Sequence, residues 1–482
     1  MNAVALLVVL PLLAAFLTPS LGRVSGLAAK LLGPAVLLFC LGLVWHYSSG
    51  DGLPFSIALG GFLPPLGINL YVDSLALLFA GIVFLLVLLA WPWGDGSREQ
   101  YALLMLLAGS SAALALSGDL FNIFVFYELG AVASFGLVVS AGTRAAHLAT
   151  FRYLLISGLG SVLFLLSVAI VYINTGTLNL AHLATLAPQS LNNIQGLVAF
   201  VLILLGVGVK AELFLVNSWV PEVYATAPGW VSGLLAGMVS KLAILVLLRL
   251  LILVFDFPDA HNLLLLLGVA GFVSGELAAW WARDFRRMLA FSSIGQLGLV
   301  FIGFSISGQA GVMAGLAVAL HHVLVKPALF YLAESWGGAL ARLRGAGGRS
   351  PLAAAVFILF ALSLIGVPPL PGFWAKMLVI MGLAGEGGNL QITAIAAVLV
   401  VTVVEAAYLL RLVGSFYAGD GPEAVPSKQG PWDISRALLF AVGLLLAMVF
   451  VLPLGDWLSS VSGEAMNVPH YVAVVLQRGE LQ

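Results

Sequence analysis

Apolar runs of about 20 residues follow one another along nearly the whole chain. A run of this length lets an α-helix cross the hydrocarbon core of a bilayer while satisfying its own backbone hydrogen bonds. The composition agrees, because 62% of the 482 residues are hydrophobic, only 9% are charged, and the mean hydropathy is +1.12. The sequence therefore predicts an all-α integral membrane protein.

The apolar runs predict fourteen transmembrane helices. Their limits are 2–21, 26–47, 70–92, 100–117, 120–140, 146–173, 196–218, 230–255, 261–281, 288–306, 309–333, 353–382, 390–416 and 435–458. The first run has no basic segment after Met1 and is followed at once by the second, so we interpret it as a retained helix. A short amphipathic stretch at 465–480 predicts a surface helix, because Pro469, His470 and Gln477 interrupt it.

Basic residues are distributed unevenly between the connections of these helices. The odd-numbered connections and their edges hold fourteen of the 20 Lys and Arg residues, and the even-numbered connections hold none. The fourteen are Arg23, Lys30, Arg98, Arg144, Arg152, Arg283, Arg286, Arg287, Arg342, Arg344, Arg349, Arg411, Lys428 and Arg436. Because cytoplasmic loops are rich in Lys and Arg, this pattern predicts a multi-pass protein with both termini outside. We expect the membrane to be a prokaryotic-type inner membrane.

Four of the remaining basic residues lie deep inside predicted spans: Lys210, Lys241, Lys326 and Lys376. An unpaired ammonium group in hydrocarbon costs several kcal/mol, so each is a candidate functional group. Lys210 and Lys241 are expected near the middle of their helices. Glu128 has no basic neighbour in its own helix and is the expected partner of Lys210. Making or breaking this pair would change the proton affinity of the lysine, which predicts a switch; a static ion pair that fixes helix packing is the alternative.

Two of the predicted spans contain proline-rich breaks. The prolines are Pro221 and Pro228 after Lys210, and Pro368, Pro369 and Pro371 before Lys376. Because proline cannot continue a regular helix, the seventh and twelfth helices are expected to be interrupted. Matching interrupted helices in two halves indicate an inverted repeat with a transport path at its interface.

The spacing of polar residues divides the chain into two five-helix repeats, spans 4–8 and 9–13. Within a single polytopic domain, 1–482, the expected segments are the N-terminal helices 1–99, the first repeat 100–255, the second repeat 256–417, and the last helix and tail 418–482. Because each repeat has an odd number of helices, the second is predicted to be inverted in the membrane.

Histidine residues and further polar groups extend the candidate path into the second repeat. His322 and Lys326 lie at i and i+4 on one helix face, a pattern suited to proton relay. No carboxylate or third histidine lies within two turns on that face, which argues against a metal site. A histidine packed in a polar pocket is the alternative, for His321 in particular. The predicted proton path comprises Glu128, Lys210, Lys241, His322, Lys326, Lys376 and Glu405, with Asn217, Ser293, Gln296 and His321 as supporting polar groups.

Other features narrow the function further. The net charge of −1 and the absence of a basic cluster argue against nucleic-acid binding. The single cysteine, Cys40, cannot build a disulfide framework or an iron–sulfur centre. No Walker A pattern, cofactor motif or nucleophile–base arrangement is present, so we expect no cofactor and no enzyme activity of the isolated chain. We interpret Glu276, Asp73 and Arg249 as anchors near the ends of spans.

Several motifs resemble the antiporter-like subunits shared by respiratory complex I, membrane-bound hydrogenases and multisubunit Mrp-type cation/proton antiporters. They cover about residues 70–417 and read VKAELFLVNSWVPEVYATAP, VSGLLAGMVSKLAILVLLR, DFRRMLAFSSIGQLGLVFIG, HHVLVKPALF and GVPPLPGFWAK, with Glu128 in the fifth span. The resemblance implies fourteen helices in two inverted repeats, a buried pair of Glu128 with Lys210, a central Lys241 and a terminal Lys376. It also implies a proton-translocating subunit that assembles with other membrane subunits and moves protons and a cation such as Na⁺.

Within that family, the motif PPLPGFWAK, which ends at Lys376, is most similar to the D subunits of Mrp antiporters. An N- or M-type proton-pumping subunit of complex I or of a related membrane-bound hydrogenase is the alternative, and a non-transporting structural subunit is the second. The sequence departs from the family at two positions: Asn217 stands where many relatives have histidine, and Gln296 where some do. Both positions bear on water access and ion preference along the path.

Overall fold

Helices account for most of the chain in the computed structural model, which describes residues 3–50, 52–94, 96–419 and 431–476. The α-helices are α1 (Leu6–Val24), α2 (Gly26–Ser48), α3 (Ser74–Leu89), α4 (Arg98–Leu116), α5 (Leu120–Val139), α6 (Arg144–Thr175), α7 (Leu180–Ser190), α8 (Ile194–Gly208), α9 (Val220–Thr226), α10 (Gly229–Leu234), α11 (Ser240–Leu253), α12 (Pro258–Trp281), α13 (Phe285–Ser305), α14 (Gly308–Trp336), α15 (Ala346–Arg349), α16 (Pro351–Ile365), α17 (Pro371–Glu386), α18 (Asn389–Phe416), α19 (Pro431–Val449), α20 (Val451–Ala465) and α21 (Val468–Leu476). A π-helical turn, Leu235–Val239, joins α10 to α11. Lys428, Gln477 and Arg478, which the sequence assigns to a loop and the tail, lie outside the described residues.

The structure confirms the predicted class of a helical membrane protein. Eleven helices in the described part of the chain are long and apolar enough to cross a membrane. Shorter apolar helices at Ser74–Leu89, Ile194–Gly208 and Pro351–Ile365 lie where the third, seventh and twelfth spans are predicted. The total of fourteen spans and the inverted repeats stay predictions.

The third predicted span is shorter than its apolar run suggests. Residues Asn69–Val72 form strand β2, which pairs antiparallel with β1 (Phe55–Ala58), so that Phe55 lies opposite Val72. The Asp73 carboxylate then accepts the backbone N–H of Ala76 at 2.8 Å and begins α3 at Ser74. A hydropathy run cannot separate an apolar strand from the apolar helix that follows it, so the hairpin is absent from the prediction.

Two features near the ends of the predicted spans also differ from expectation. The span predicted at 435–458 is two helices, α19 and α20, separated at Phe450. The predicted surface helix at 465–480 corresponds over its described residues to α21, which packs against α7 and buries Tyr471 and Val475. The sequence does not predict α7, whose first turn is capped by Asn179.

The first of two compact units contains Met1–Ala211, Met238–Ala260 and Gly463–Gln482. Within it α4 packs against α1, α3, α5 and α11, and α6 packs against α5 and α8. The contact between α6 and α8 is close, because a Cβ at Gly206 would lie 2.7 Å from the backbone oxygen of Gly160. This crossing holds the end of α8 beside α5, which carries Glu128, and α6, which carries Ser161.

The second compact unit contains Glu212–Gly237 and His261–Ser462. Within it α14 packs against α10, α13, α17 and α19, and α18 packs against α16 and α17. α12 and α13 approach so closely at Gly275 and Gly295 that a Cβ on Gly275 would collide with the Gly295 backbone. Polar side chains of α12, α13, α14, α17 and α18 therefore share the interior of this unit.

Candidate functional site

The first interrupted helix breaks directly beside Lys210. α8 ends at Gly208, and the segment that follows is built of turns until α9 begins at Val220. In this segment Glu212 and Leu215 have φ angles of 57° and 86°. Such left-handed backbone costs about 1–3 kcal/mol for each residue other than glycine, and it accumulates at functional sites. The prediction that Lys210 lies near the middle of its helix is wrong, because the residue lies just past the C-terminal end, where unpaired carbonyls favour a cation.

The structure brings Lys210 together with Glu128. The Lys210 Nζ lies 3.8 Å from Glu128 Oε1, donates a hydrogen bond to the Tyr127 carbonyl oxygen at 2.7 Å, and lies 3.2 Å from the centroid of the Tyr127 ring. Glu128 Oε1 accepts a hydrogen bond from Ser161 at 2.7 Å. The lysine side chain is 3% exposed and the glutamate 33%. The two charges are therefore neighbours without a direct hydrogen bond, and each has its own separate support.

A small cavity is lined in part by Lys210. Its volume is about 20 Å³, and its lining includes Ser111 of α4, Tyr127 of α5, Lys210, and Leu242 of α11. Roughly 10–15 Å³ is enough to hold one water molecule. The cavity thus offers space for a single hydrating molecule beside the buried Lys210 side chain, next to the helix that carries Lys241.

Lys241 lies in the first turn of α11, immediately after the π-helical turn Leu235–Val239. Its side chain is buried, with 1% of the residue exposed, and Nζ donates to the Ser240 hydroxyl at 3.1 Å. A π-turn is rare and is found frequently at functional sites, where it changes the direction in which the next side chains project. Nothing in the hydropathy of the span predicts this turn.

The second interrupted helix carries the second Glu–Lys pair. α16 ends at Ile365, with Gly366 in the left-handed conformation at φ 88°, and α17 begins at Pro371. The Lys376 Nζ lies 2.6 Å from Glu405 Oε2, and Gln296 Nε2 donates to Glu405 Oε1 at 2.8 Å. Both carboxylate oxygens therefore have a partner. Lys376 also donates to the Ile365 carbonyl oxygen at 3.3 Å, so the end of α16 contributes to holding the cation.

The prolines and Asn217 lie where the backbone changes direction. Pro221 lies in the first turn of α9, Pro371 begins α17, Pro228 precedes α10, and Pro368 and Pro369 lie between α16 and α17. The structure thus confirms both predicted helix breaks. Asn217 Nδ2 donates to the Glu212 carbonyl oxygen at 3.2 Å, so this side chain satisfies irregular backbone within the first break.

The polar residues of α14 divide between two neighbouring helices. His322 Nε2 lies 3.2 Å from Ser293 Oγ, and Lys326 Nζ donates to Ser292 Oγ at 2.7 Å, so both side chains face α13. His321 Nε2 instead lies 2.9 Å from Ser363 Oγ of α16. The structure brings His322 and Lys326 to one face as predicted, and it places His321 in a separate polar contact.

Sequence analysis interprets three buried charges as anchors near the ends of spans. Glu276 has no exposed surface and hydrogen-bonds with Tyr408, so its interpretation as an interfacial anchor is wrong. Asp73 and Arg249 form a bidentate ion pair, with Arg249 Nη2 at 2.6 and 2.7 Å from the two carboxylate oxygens. The signal that could have found Glu276 is its place inside the predicted ninth span, the same argument that identifies the lysines.

Comparison with protein families identifies a region that contains Glu128, Lys210 and Lys376 and ends two residues before Glu405. The family described as NADH:quinone oxidoreductase/Mrp antiporter, transmembrane, matches residues 117–403. The N subunit of the NADH-quinone oxidoreductase of Desulforudis audaxviator is 31% identical over 84% of this chain and 84% of its own length. The D subunit of the Na(+)/H(+) antiporter of Alkalihalophilus pseudofirmus is 31% identical over 87% of this chain and 88% of its own length.

Solved structures share the fold over nearly the whole chain. A chain of the membrane-bound sulfane sulfur reductase, an archaeal respiratory membrane complex, is similar with a TM-score of 0.90 and 32% identity, covering 99% of this chain and 100% of that chain. A chain of the Mrp complex from Dietzia sp. is similar with a TM-score of 0.88 and 25% identity, covering 99% and 100%. A chain of respiratory complex I from Thermus thermophilus has a TM-score of 0.78 and 26% identity, covering 93% and 97%.

Proposed function

Because this chain belongs to the NADH:quinone oxidoreductase/Mrp antiporter transmembrane family, we propose that it is a proton-translocating subunit of a multisubunit membrane complex. Within the family we assign it to the D subunits of Mrp-type Na⁺(cation)/H⁺ antiporters. The predicted resemblance is confirmed at the level of the family. Relatives and structural neighbours are subunits of Mrp and complex I assemblies, so other membrane subunits are its expected partners.

The observation that carries the proposal is that each unit contains a Glu–Lys pair with a buried lysine beside an interrupted helix. Glu128 lies 3.8 Å from Lys210, and Glu405 lies 2.6 Å from Lys376. A buried pair can hold or release a proton, because the loss of either charge changes the proton affinity of the other. Purely structural subunits gain nothing from two such pairs, since replacing a buried pair by packed apolar side chains is often neutral or stabilising.

The two pairs differ in how tightly they are held, and we assign them different roles. Glu128 is one-third exposed and touches Lys210 without a hydrogen bond, so this pair opens readily and acts as the switch. Glu405 has no exposed surface and is hydrogen-bonded through both oxygens, so Lys376 forms a more rigid terminal group. The small cavity beside Lys210 supports hydration of the first pair.

The proposal also assigns roles to the other residues of the predicted path. We assign proton transfer to Lys241, His322 and Lys326, because each is buried and each has a hydroxyl group within hydrogen-bonding distance. Ser293, Gln296, Asn217 and His321 orient their neighbours. The chain-level organisation that we propose has two inverted five-helix repeats, 100–255 and 256–417.

The main alternative is a proton-pumping subunit of a respiratory complex. It is favoured by two comparisons: the NADH-quinone oxidoreductase relative has the same 31% identity as the antiporter relative, and the sulfane sulfur reductase chain has a TM-score of 0.90. The assignments differ in energy source. An antiporter exchanges protons for a cation, whereas a respiratory subunit moves protons when its complex transfers electrons.

Everted membrane vesicles that carry the complete complex separate these functions. With an imposed pH gradient, addition of Na⁺ should collapse the gradient in vesicles with the complex and leave it intact in vesicles from a strain that lacks this chain. Proton movement that follows addition of an electron donor and does not require Na⁺ would assign the chain to a respiratory complex. Absence of proton movement under both conditions would overturn proton translocation.

We also propose an orientation with odd-numbered connections in the cytoplasm and both termini outside, because the positive-inside rule applies to short loops such as these. Single cysteines test it at exposed positions in a chain whose Cys40 is replaced by alanine. Gly94 and Gly348 lie in the third and eleventh connections, and neither has an atom within 4 Å of an added Cβ. An impermeant thiol reagent added outside intact cells is expected to leave Gly94→Cys and Gly348→Cys unlabelled.

Positions in even-numbered connections provide the matched comparison. Asn192 is exposed in the sixth connection, and Gly385 is exposed at the end of α17 with open space around it. Asn192→Cys and Gly385→Cys are expected to react from outside. The reverse pattern would invert the orientation. Labelling of one position from each set would contradict the predicted number of spans between them.

A further inference from the structure

Glu276 of α12 is a buried carboxylate that the proposed path leaves unused. No part of the residue is exposed, and its Oε2 accepts a hydrogen bond from the Tyr408 hydroxyl at 2.8 Å. Its Oε1 lies against Gly295 and has no hydrogen-bond partner in the part of the chain that the structure describes. A buried carboxylate oxygen without a partner is costly when ionised, so this group has a physical reason to bind a proton.

Two hydroxyl groups lie between Glu276 and Lys326. The Lys326 Nζ donates to Ser292 Oγ at 2.7 Å, Ser292 neighbours the Tyr408 hydroxyl, and that hydroxyl donates to Glu276. In both of these hydrogen bonds, Lys326 to Ser292 and Tyr408 to Glu276, the donor lies on the lysine side and the acceptor on the carboxylate side. A row of hydroxyl groups ordered in this way can pass a proton along its length, because each oxygen both accepts and donates.

Lys326 and Glu276 complement each other in charge. Within the described residues, neither has an oppositely charged group within 4.0 Å, in contrast to Lys376 and Glu405, which lie 2.6 Å apart. The charged groups that act on Glu276 are Glu405, Lys326 and Lys376. Glu276 and Lys326 are therefore the carboxylate and the lysine of this cluster that can exchange a proton with each other.

The two polar rows of this unit use the same helices. Ser292 and Gln296 lie one turn apart on α13, and Glu405 and Tyr408 lie one turn apart on α18. Gln296 bonds to Glu405, and Tyr408 bonds to Glu276. The hydroxyl row therefore runs beside the Gln296–Glu405–Lys376 row and ends on a different carboxylate.

We propose that Glu276 is the proton acceptor of Lys326, reached through Ser292 and Tyr408. The Lys326 ammonium gives a proton to Ser292 Oγ, Ser292 passes its own proton to Tyr408, and Tyr408 passes its own to Glu276 Oε2. The products are a neutral lysine amine and a neutral carboxylic acid, and both hydroxyl groups are restored. The inference rests on the proposed function, which supplies protons to Lys326.

Three substitutions in the assembled complex test this proton-transfer path from Lys326 through Ser292 and Tyr408 to Glu276, which we call the wire. Glu276→Gln keeps the shape of the side chain and removes its capacity to bind the proton. Tyr408→Phe keeps the buried ring and removes one link. Tyr331→Phe is the matched control, because it removes one hydroxyl from another buried tyrosine of the same unit, outside the wire. We expect proton transport to fall by about 100-fold for Glu276→Gln, by about tenfold for Tyr408→Phe, and to stay near wild type for Tyr331→Phe.

Infrared difference spectra of the purified complex at two pH values separate proton binding from a structural role. The C=O band of a buried carboxylic acid should change with pH in the wild type and in both tyrosine variants, and should disappear in Glu276→Gln. If the pH-dependent C=O signal of Glu276→Gln equalled the wild-type signal with no component lost, Glu276 would hold no exchangeable proton and the inference would be overturned.

The transport results distinguish this inference from the proposed function. A wild-type complex that moves no protons overturns both. A wild-type complex that transports, together with undiminished transport in Glu276→Gln or Tyr408→Phe, overturns the wire alone. Equal losses in Tyr408→Phe and in the Tyr331→Phe control would reduce the effect of Tyr408 to packing and would also contradict the wire.

Discussion

Replacing Lys210 by alanine is expected to stop proton transport by the assembled complex, with a loss of about 100-fold or more. Lys210 is the cation of the pair that we assign as the switch, and it lines part of the small cavity of the first unit. Glu128, which keeps the hydrogen bond from Ser161 and is one-third exposed, tolerates the loss of its partner. The complex is therefore expected to assemble, and the loss should lie in transport alone.

Glu128→Gln is expected to give the same loss of transport by a different route. It keeps the contact with Ser161 and removes the negative charge, so Lys210 becomes a buried cation without a counter-charge. Removing one partner of a buried pair costs about 3–5 kcal/mol, and a lysine can avoid that cost by releasing its proton. The variant should therefore fold with Lys210 held neutral and unable to cycle.

The measurement is dissipation or formation of a pH gradient in everted vesicles, with the amount of assembled complex determined for each variant. Lys30→Ala is the matched control, since the Lys30 amine donates an exposed hydrogen bond to the Gly94 carbonyl oxygen at 3.5 Å and lies outside the proposed path. Transport near wild type in both Lys210→Ala and Glu128→Gln would show that the pair fixes helix packing and does not act as a switch.

Lys376→Arg is expected to abolish transport even though it preserves the positive charge. A guanidinium group keeps its proton across the accessible pH range, whereas a buried lysine can release its proton. Arginine can still pair with Glu405, so the ion pair at the end of α16 should survive. The same vesicle assay applies, and Lys30→Arg is the matched control for the change of side chain. Full activity of Lys376→Arg would reduce Lys376 to a fixed charge.

The same chemistry makes Glu405→Gln a useful companion to the Lys376 variant. Glutamine keeps the size of the side chain but leaves Lys376 without its 2.6 Å partner. If Lys376 exchanges its proton with Glu405, both variants lose transport. If only Glu405→Gln loses it, the carboxylate carries the proton and the lysine serves as its counter-charge.

The sequence was sufficient for the membrane class, the family and most candidate residues. Apolar runs of about 20 residues predict helices in a bilayer because a helix satisfies its backbone hydrogen bonds within a single segment. Proline positions predict both breaks, since a residue without a backbone N–H does not fit a continuous helix. Lysines inside such runs stand out because burial of an unpaired charge is costly.

Side-chain partners required the tertiary structure. The sequence offers Lys376 and Glu405 as members of one path, but only the packing of α17 on α18 makes them a direct pair. The placement of Lys210 depends on where α8 ends, and that is decided by the strained turns after it. Hydropathy averages over about 19 residues and cannot locate such an end.

The burial of Glu276 could not be decided from the sequence. Its place inside a predicted span makes it a candidate, but its position near one end of that span is compatible with an anchor at the interface or with a buried group, and the two differ only in what lies across the helix face. The close approach of α12 to α13 at Gly275 and Gly295 removes water from Glu276, and Tyr408 of α18 supplies its hydrogen bond. The sequence by itself determined that charged residues lie within apolar runs long enough to span a membrane, and which of the predicted spans are interrupted. Only the tertiary structure decided which charges meet, because contact between helices depends on the small residues that let them approach.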